Sequence, residues 1–275
     1  LQLWVTEPQT SDVALSFKVV STLHSEQTPY QRLDVVETER FGKLLLLDGM
    51  VQTTERDEFV YHEMITHPAL LTHPCPRRVA VIGGGDGGAV REVLKHDTVE
   101  RVTLVEIDEK VIAAARRFFP SISSGLDNPR TTVLVEDGIR HIRETKGAYD
   151  VVLIDSTEPV GAAVGLFSQS FYESLYEALT DDGLIVAQTE SPFYNADPIR
   201  DTNRALRAVF PLVRLYLAFI PTYPSGMWSF TIASKVHDPL QVDPGRFPDL
   251  STRYFTPAVF RGAFCLPRFV EELTV

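Results

Sequence analysis

Apolar positions in the first 55 residues follow a short period. Ser16-Phe17-Lys18-Val19-Val20 and Gln31-Arg32-Leu33-Asp34-Val35-Val36-Glu37 show alternating or β-rich patterns, and the run Leu44-Leu45-Leu46-Leu47 follows. The turn pair Asp48-Gly49 then separates that run from Met50-Val51-Gln52-Thr53-Thr54. Short strands bounded by turns predict a small antiparallel β-domain over residues 1–56, with a hairpin at Asp-Gly. From Asp57 the period changes. Phe59, His62, Glu63 and His67 fall at helical offsets beside an apolar stripe of Val60, Met64 and Leu71, which predicts a helix ending near His73-Pro74. Strands are then expected at 78–82, 101–106, 131–136, 150–154 and 183–188, with last strands near 212–219 and 228–234. Helices are expected through Val90, Val93 and Leu94, from Asp108 to Phe119-Pro120, briefly after 136, over 168–180 and near 197–210. This alternation predicts that residues 57–275 form an α/β unit, a mostly parallel sheet with helices on both faces.

Composition narrows the function classes. The chain has 275 residues, 44% hydrophobic and 23% charged, which is ordinary for a soluble globular protein. No apolar run approaches the roughly 20 residues that span a bilayer, and no signal-peptide pattern is visible. A net charge of −11 argues against nucleic acid and is compatible with cationic ligands. Cys75 and Cys265 have no metal-ligand spacing and read as reduced thiols of a cytoplasmic protein. No His/Cys/carboxylate cluster has metal spacing, and no serine nucleophile elbow appears.

In an open α/β sheet, ligands bind beyond the carboxyl ends of the strands. The first of these strands leads into Gly83-Gly84-Gly85-Asp86-Gly87-Gly88, a GxGxxG loop that is by itself either a nucleotide-cofactor turn or a plain tight turn. Asp86 opposes a phosphate there and suits a cation. The next strand ends at Glu106, placed to accept from both hydroxyls of a ribose, and Asp108 after it reads as a helix cap. Asp137 is either a cap or an acceptor for an adenine amino group, with the Gly138 amide in reach of a ring nitrogen. Asp155 follows the apolar run Val151-Val152-Leu153-Ile154, where a carboxylate needs a partner or a task. The next strand ends near Gln188.

Four segments carry a family resemblance over nearly the full chain. They are Asp48 to Phe59 with Tyr61-His62-Glu63-Met64; Gly83 to Gly88 with Arg91-Glu92-Val93; Asp155-Ser156-Thr157-Glu158-Pro159-Val160-Gly161; and Ile220-Pro221-Thr222-Tyr223-Pro224-Ser225-Gly226. In these the chain resembles the spermidine synthases, aminopropyltransferases of polyamine biosynthesis. The resemblance implies a methyltransferase-like Rossmann domain carrying an N-terminal β-domain. It implies aminopropyl transfer from decarboxylated S-adenosylmethionine, a co-substrate, to putrescine, with no metal or prosthetic group, in a homodimer or homotetramer. It further implies that Glu106 holds the ribose diol, that Asp137 and Gly138 hold adenine, and that Gln31 reaches the adenosyl moiety, with Ala162 beside the cofactor where Pro is common. Asp86 would bind the amine of the aminopropyl arm. Asp155 would be the general base and Tyr61 would help place the attacking amine. His62, Glu158, Gln188 and Tyr223 would line the polyamine end; Gln is common in the family at position 62 and Asp at 158.

This chemistry suits the residues. Outside the adenosine, both ligands are cationic or apolar, and carboxylates at 86, 155 and 158 complement them. An alkylamine is protonated at neutral pH and must lose a proton before it attacks. The loop 156–168, with Gly161 and Gly165, is expected to act as a lid. Three other readings stand beside this one: an S-adenosylmethionine methyltransferase, which Asp86 discourages; a nicotinamide dehydrogenase, which the acidic loop does not fit; and a non-enzymatic polyamine or nucleoside sensor.

Overall fold

The computed structural model describes residues 2–156 and 165–275. The expectations for Glu158, Gly161 and Ala162, and for residues 157–164 of the lid, fall on residues outside that set. Five strands open the chain: β1 (Leu3–Pro8), β2 (Ala14–Gln27), β3 (Arg32–Thr38), β4 (Gly42–Leu47) and β5 (Met50–Thr54). They pair antiparallel in sequence order. The four-leucine run is explained by burial on both faces. Leu45 and Leu47 join Leu33 and Val35 against Val111, Ala114 and Phe119 of the second unit, while Leu44 and Leu46 pack with Phe17, Val36 and Val51 on the other side. β1 was not expected and β2 is longer than its sequence pattern suggests. Leu3, Trp4 and Val20 are exposed, so no buried alternation marks this pairing.

Helix α1 (Glu58–Thr72) follows the β5 strand after a short turn. It is buried nearly all round rather than along one stripe, and its polar groups are individually partnered. Glu63, for example, accepts the backbone N–H groups of Arg253, Tyr254 and Phe255, each at 2.8 Å. The second sheet contains β6 (Arg78–Gly83), β7 (Arg101–Glu106), β8 (Thr131–Val135), β9 (Tyr149–Asp155), β10 (Leu179–Gln188), β11 (Leu212–Phe219) and β12 (Met227–Ser234). Its order is β11-β12-β10-β9-β6-β7-β8, and only β12 runs against its neighbours. The connecting helices are α2 (Gly88–Val93), α3 (Glu109–Phe118), α4 (Gly138–Glu144), α5 (Gln169–Ala178) and α6 (Ala196–Arg207), with α7 (Pro257–Ala263) and α8 (Arg268–Glu271) closing the chain. Val79 and Val81 of β6 face one helix layer, and Ala80 and Ile82 face the other. The chain adds β7 and β8 on one side of β6, and β9 and β10 on the other. This reversal opens a crevice between β6 and β9, where Gly83 pairs with Asp155.

Candidate active site

A cavity of about 200 Å³ lies at the carboxyl ends of these strands and reaches the first sheet. Gln31, Tyr61, His62, Asp86, Glu106, Asp137, Gly138, Asp155, Gln188 and Tyr223 all line it. Every expected site residue that the structure describes is therefore brought to one place.

The glycine loop makes room for protein side chains as well as for a ligand. Gly84 has φ +66°, and a Cβ there would collide with the Asp155 carboxylate. A Cβ on Gly88 would fall on the His62 ring. Asp86 sits between them, its Oδ1 accepting the Gly88 N–H at 2.9 Å and its Oδ2 lying 3.2 Å from His62 Nε2.

At the β7 end, Glu106 accepts the Gly85 N–H at 3.2 Å on Oε2 and the Asp108 N–H at 2.9 Å on Oε1. Burial pushes its carboxyl up to about 7, against the pull of these backbone donors. Asp108 caps α3, accepting from the Lys110 N–H, and also takes the Thr28 hydroxyl at 2.7 Å and the Gln31 amide at 3.2 Å. Gln31 thus ties the first sheet to the second while lining the cavity. Asp137 caps α4 through the Ile139 N–H at 2.8 Å and lines the cavity too, so cap and cavity wall are not exclusive.

The other half of the cavity is aromatic and acidic. The Tyr61 hydroxyl donates to Asp155 Oδ1 at 2.7 Å, while Asp155 Oδ2 is buried without a hydrogen-bond partner among the described residues. Burial, then the nearby Asp86 charge, pushes Asp155 up to about 6, with His62 and the Tyr61 hydrogen bond pulling the other way. Burial, then Asp155, holds the Tyr61 phenol well above its ordinary range, so Tyr61 is a donor here and not a base. The Tyr61 ring packs against Tyr223 and Phe230, and Tyr223 against Trp228.

Two expected contacts are different in kind. Gln188 spends its amide on protein, donating to the Ser156 carbonyl at 3.2 Å and accepting the Glu190 N–H at 3.1 Å. The Tyr223 hydroxyl donates to the Gln52 carbonyl at 2.6 Å. Glu7 was missed: it is 4% exposed, lines the cavity and accepts the Val51 N–H at 3.1 Å, and burial pushes its carboxyl up. It stands on β1, the strand without a sequence signal. Glu58 and Arg91, which hold His62 from behind, were missed as well.

Two groups of side chains have metal-like proximity among the described residues: His62 with Asp86 and Asp155, and His73 with Asp182 and His237. His62 already sets Nδ1 against Glu58 and Nε2 against Asp86. His73 Nδ1 accepts the Cys75 N–H at 3.2 Å, which leaves the ring proton on Nε2, 3.6 Å from Asp182. The described residues also contain no helix long and apolar enough to cross a membrane.

Comparison with known proteins gives concordant results. A family model described as spermine/spermidine synthase domain matches residues 58–242, and one described as spermidine synthase tetramerisation domain matches residues 3–55. The chain is 52% identical over 273 residues to a polyamine aminopropyltransferase of Caldicellulosiruptor bescii, covering 99% of this chain and 98% of that one. It is 54% identical over 270 residues to that of Moorella thermoacetica, covering 98% and 95%. A solved spermidine synthase in complex with the transition-state analogue AdoDATO superposes with a TM-score of 0.97 at 42% identity, covering 99% of this chain and 94% of that one.

Proposed function

The chain belongs to the spermine/spermidine synthase family of polyamine aminopropyltransferases, and from that premise we propose that it transfers the aminopropyl group of decarboxylated S-adenosylmethionine to putrescine. The products are spermidine and methylthioadenosine. The observation that carries the reading is the Asp155 carboxylate, enclosed at the crevice with one oxygen on Tyr61 and the other without a hydrogen-bond partner among the described residues.

Adenosine lies along Glu106, Asp137 and Gly138, with Gln31 closing that end. Each Glu106 oxygen takes one backbone N–H and keeps lone-pair capacity for a ribose hydroxyl. The ammonium of the aminopropyl arm meets Asp86. The attacking amine of putrescine passes a proton to Asp155, steadied by Tyr61. Its lone pair forms the new C–N bond to the methylene next to sulfur as the C–S bond breaks. Both electrons of that bond go to sulfur, and the sulfonium leaves as a neutral thioether. Charge disperses in this step, so holding the two reactants in line contributes much of the acceleration. His62, Gln188 and Tyr223 shape the amine end, and the second ammonium suits the buried Glu7. Intact S-adenosylmethionine would bring its own carboxylate against Asp86 and Asp155.

We extend the reading to the whole chain, with residues 1–56 as a β-domain, residues 57–275 as the catalytic domain, and assembly into a homodimer or homotetramer. Support for assembly comes from the tetramerisation description of the match over residues 3–55. The test is a panel of amines with decarboxylated S-adenosylmethionine, ranked by kcat/KM. Putrescine should lead cadaverine, agmatine and spermidine; a higher value for any of these overturns the assignment of the acceptor.

A further inference from the structure

His62 is buried and both of its ring nitrogens face carboxylates. Nδ1 is 2.6 Å from Glu58 Oε2, and Nε2 is 3.2 Å from Asp86 Oδ2. A neutral imidazole carries one N–H and would turn a lone pair toward one of these anions; the doubly protonated ring satisfies both. Glu58 is itself gripped by Arg91, which donates to its two oxygens at 3.1 and 2.8 Å and reaches Glu92 through Nε at 2.9 Å. The result is a row of alternating charges from α2 through α1 to the glycine loop, ending at the cavity. The groups facing His62 are Glu58 on its own helix, the Tyr61 ring, Asp86 after β6 and Asp155 at the end of β9, with Arg91 behind Glu58.

We propose that Glu58 and Arg91 are positioning residues that hold His62 as an imidazolium, and that this fixed cation keeps Asp155 a carboxylate in the substrate-free site at neutral pH. The proposal rests on the reading of Asp155 as proton acceptor. Two carboxylates enclosed together repel, and without a counter-charge Asp155 takes up its proton at a higher pH, so less of it is a carboxylate at neutral pH. Metal-ligand-type atoms of His62, Asp86 and Asp155 lie within 4.8 Å of one another, close enough for the ring to offset that repulsion. The cation approaches through Asp86 and leaves Asp155 Oδ2 unpartnered by any described residue, so the amine can still be met there. The electrostatic balance agrees. Burial opposes the charge on His62, but Asp86 and Glu58 outweigh it and hold the ring well above its ordinary value. Burial likewise opposes the charge on Glu58, and His62 and Arg91 bring it down to about 2.

The test is the pH profile of kcat/KM for the diamine in wild type, Glu58→Gln and His62→Gln, with methylthioadenosine affinity measured alongside. Wild type should lose activity on the acid side near pH 6, following Asp155. In both variants this acid limb should move up by about 1 pH unit, the effect of withdrawing an opposite charge at this range. Methylthioadenosine affinity should stay within about twofold, since that ligand lacks the amine arm. A uniform loss of activity with the limb unmoved overturns the proposal and leaves only a packing role. If Glu58→Gln does not fold, His62→Gln alone decides. Asp155→Asn separates the two claims: if it keeps near-normal turnover, the proton-acceptor reading fails. If it is inactive while the limb of the other variants stays in place, this proposal fails by itself.

Discussion

Replacing Asp155 with Asn keeps the side-chain shape and an oxygen that can still accept the Tyr61 hydroxyl, 2.7 Å away in the native site. What is lost is the ability to take a proton. With its carboxyl pushed up to about 6, the native group is roughly nine-tenths ionised at pH 7 and so able to take a proton. A positioned base contributes about 10²–10⁴ in rate, so kcat should fall about 10³-fold, or about 4 kcal/mol of barrier. The fold should not suffer. Because the native carboxyl lies above its ordinary value of 3.8, its ionisation opposes folding: its contribution to stability is fullest below pH 4 and is lost as pH rises through about 6. Asn removes that decline, and the melting temperature at pH 7.5 should be unchanged or higher. The assay is spermidine formation followed by mass spectrometry, with methylthioadenosine binding by calorimetry. Turnover within about tenfold of wild type would refute Asp155 as the proton acceptor. Loss of methylthioadenosine binding would instead show that the substitution disturbs the site as a whole.

Three further outcomes follow from the same geometry. Asp86→Asn should raise KM for decarboxylated S-adenosylmethionine about 10- to 100-fold, the worth of a hydrogen bond to a charged group, while methylthioadenosine affinity barely changes; equal losses for both ligands would contradict the role given to Asp86. Gly84→Ala places a Cβ against the Asp155 carboxylate at a φ of +66°, and should lower the melting temperature through about 1–3 kcal/mol of strain as well as activity; a wild-type melt would contradict the clash. For Glu106 the folded carboxyl is raised to about 7 from 4.5, so its contribution to stability is complete below pH 4.5 and disappears as pH rises through 7. Glu106→Gln should therefore flatten the fall in melting temperature of the ligand-free protein between those pH values, and an unchanged slope would count against a raised Glu106.

The α/β unit was legible because its central strands are buried on both faces and read as continuous apolar runs such as Val151 to Ile154. Once strand ends are known, the acids that follow them fall near one another, which is why Glu106, Asp137 and Asp155 could be picked out. Strand β1 and helices α7 and α8 were not foreseen. β1 exposes Leu3 and Trp4 and owes its existence to pairing with β2, a relation that no local period reveals. Helix α7 did carry a signal, Thr256-Pro257, with the threonine hydroxyl accepting the Val259 N–H at 3.0 Å. The roles of single residues were harder to read. Glu58, His62, Asp86 and Arg91 lie on three different segments, so their charge row emerges only when α1 packs on α2. Gln188 lines the cavity as expected, but its hydrogen bonds to Ser156 and Glu190 had no signal in the sequence.

The central claim is that this acidic crevice selects a donor ending in an amine and passes its aminopropyl group to a diamine. The most direct measurement is the product mass after incubating the protein with putrescine and either decarboxylated or intact S-adenosylmethionine. Putrescine should gain one aminopropyl unit with the decarboxylated donor and stay unchanged with the intact one. A methyl gain from the intact donor, or no aminopropyl gain from the decarboxylated one, would contradict that claim.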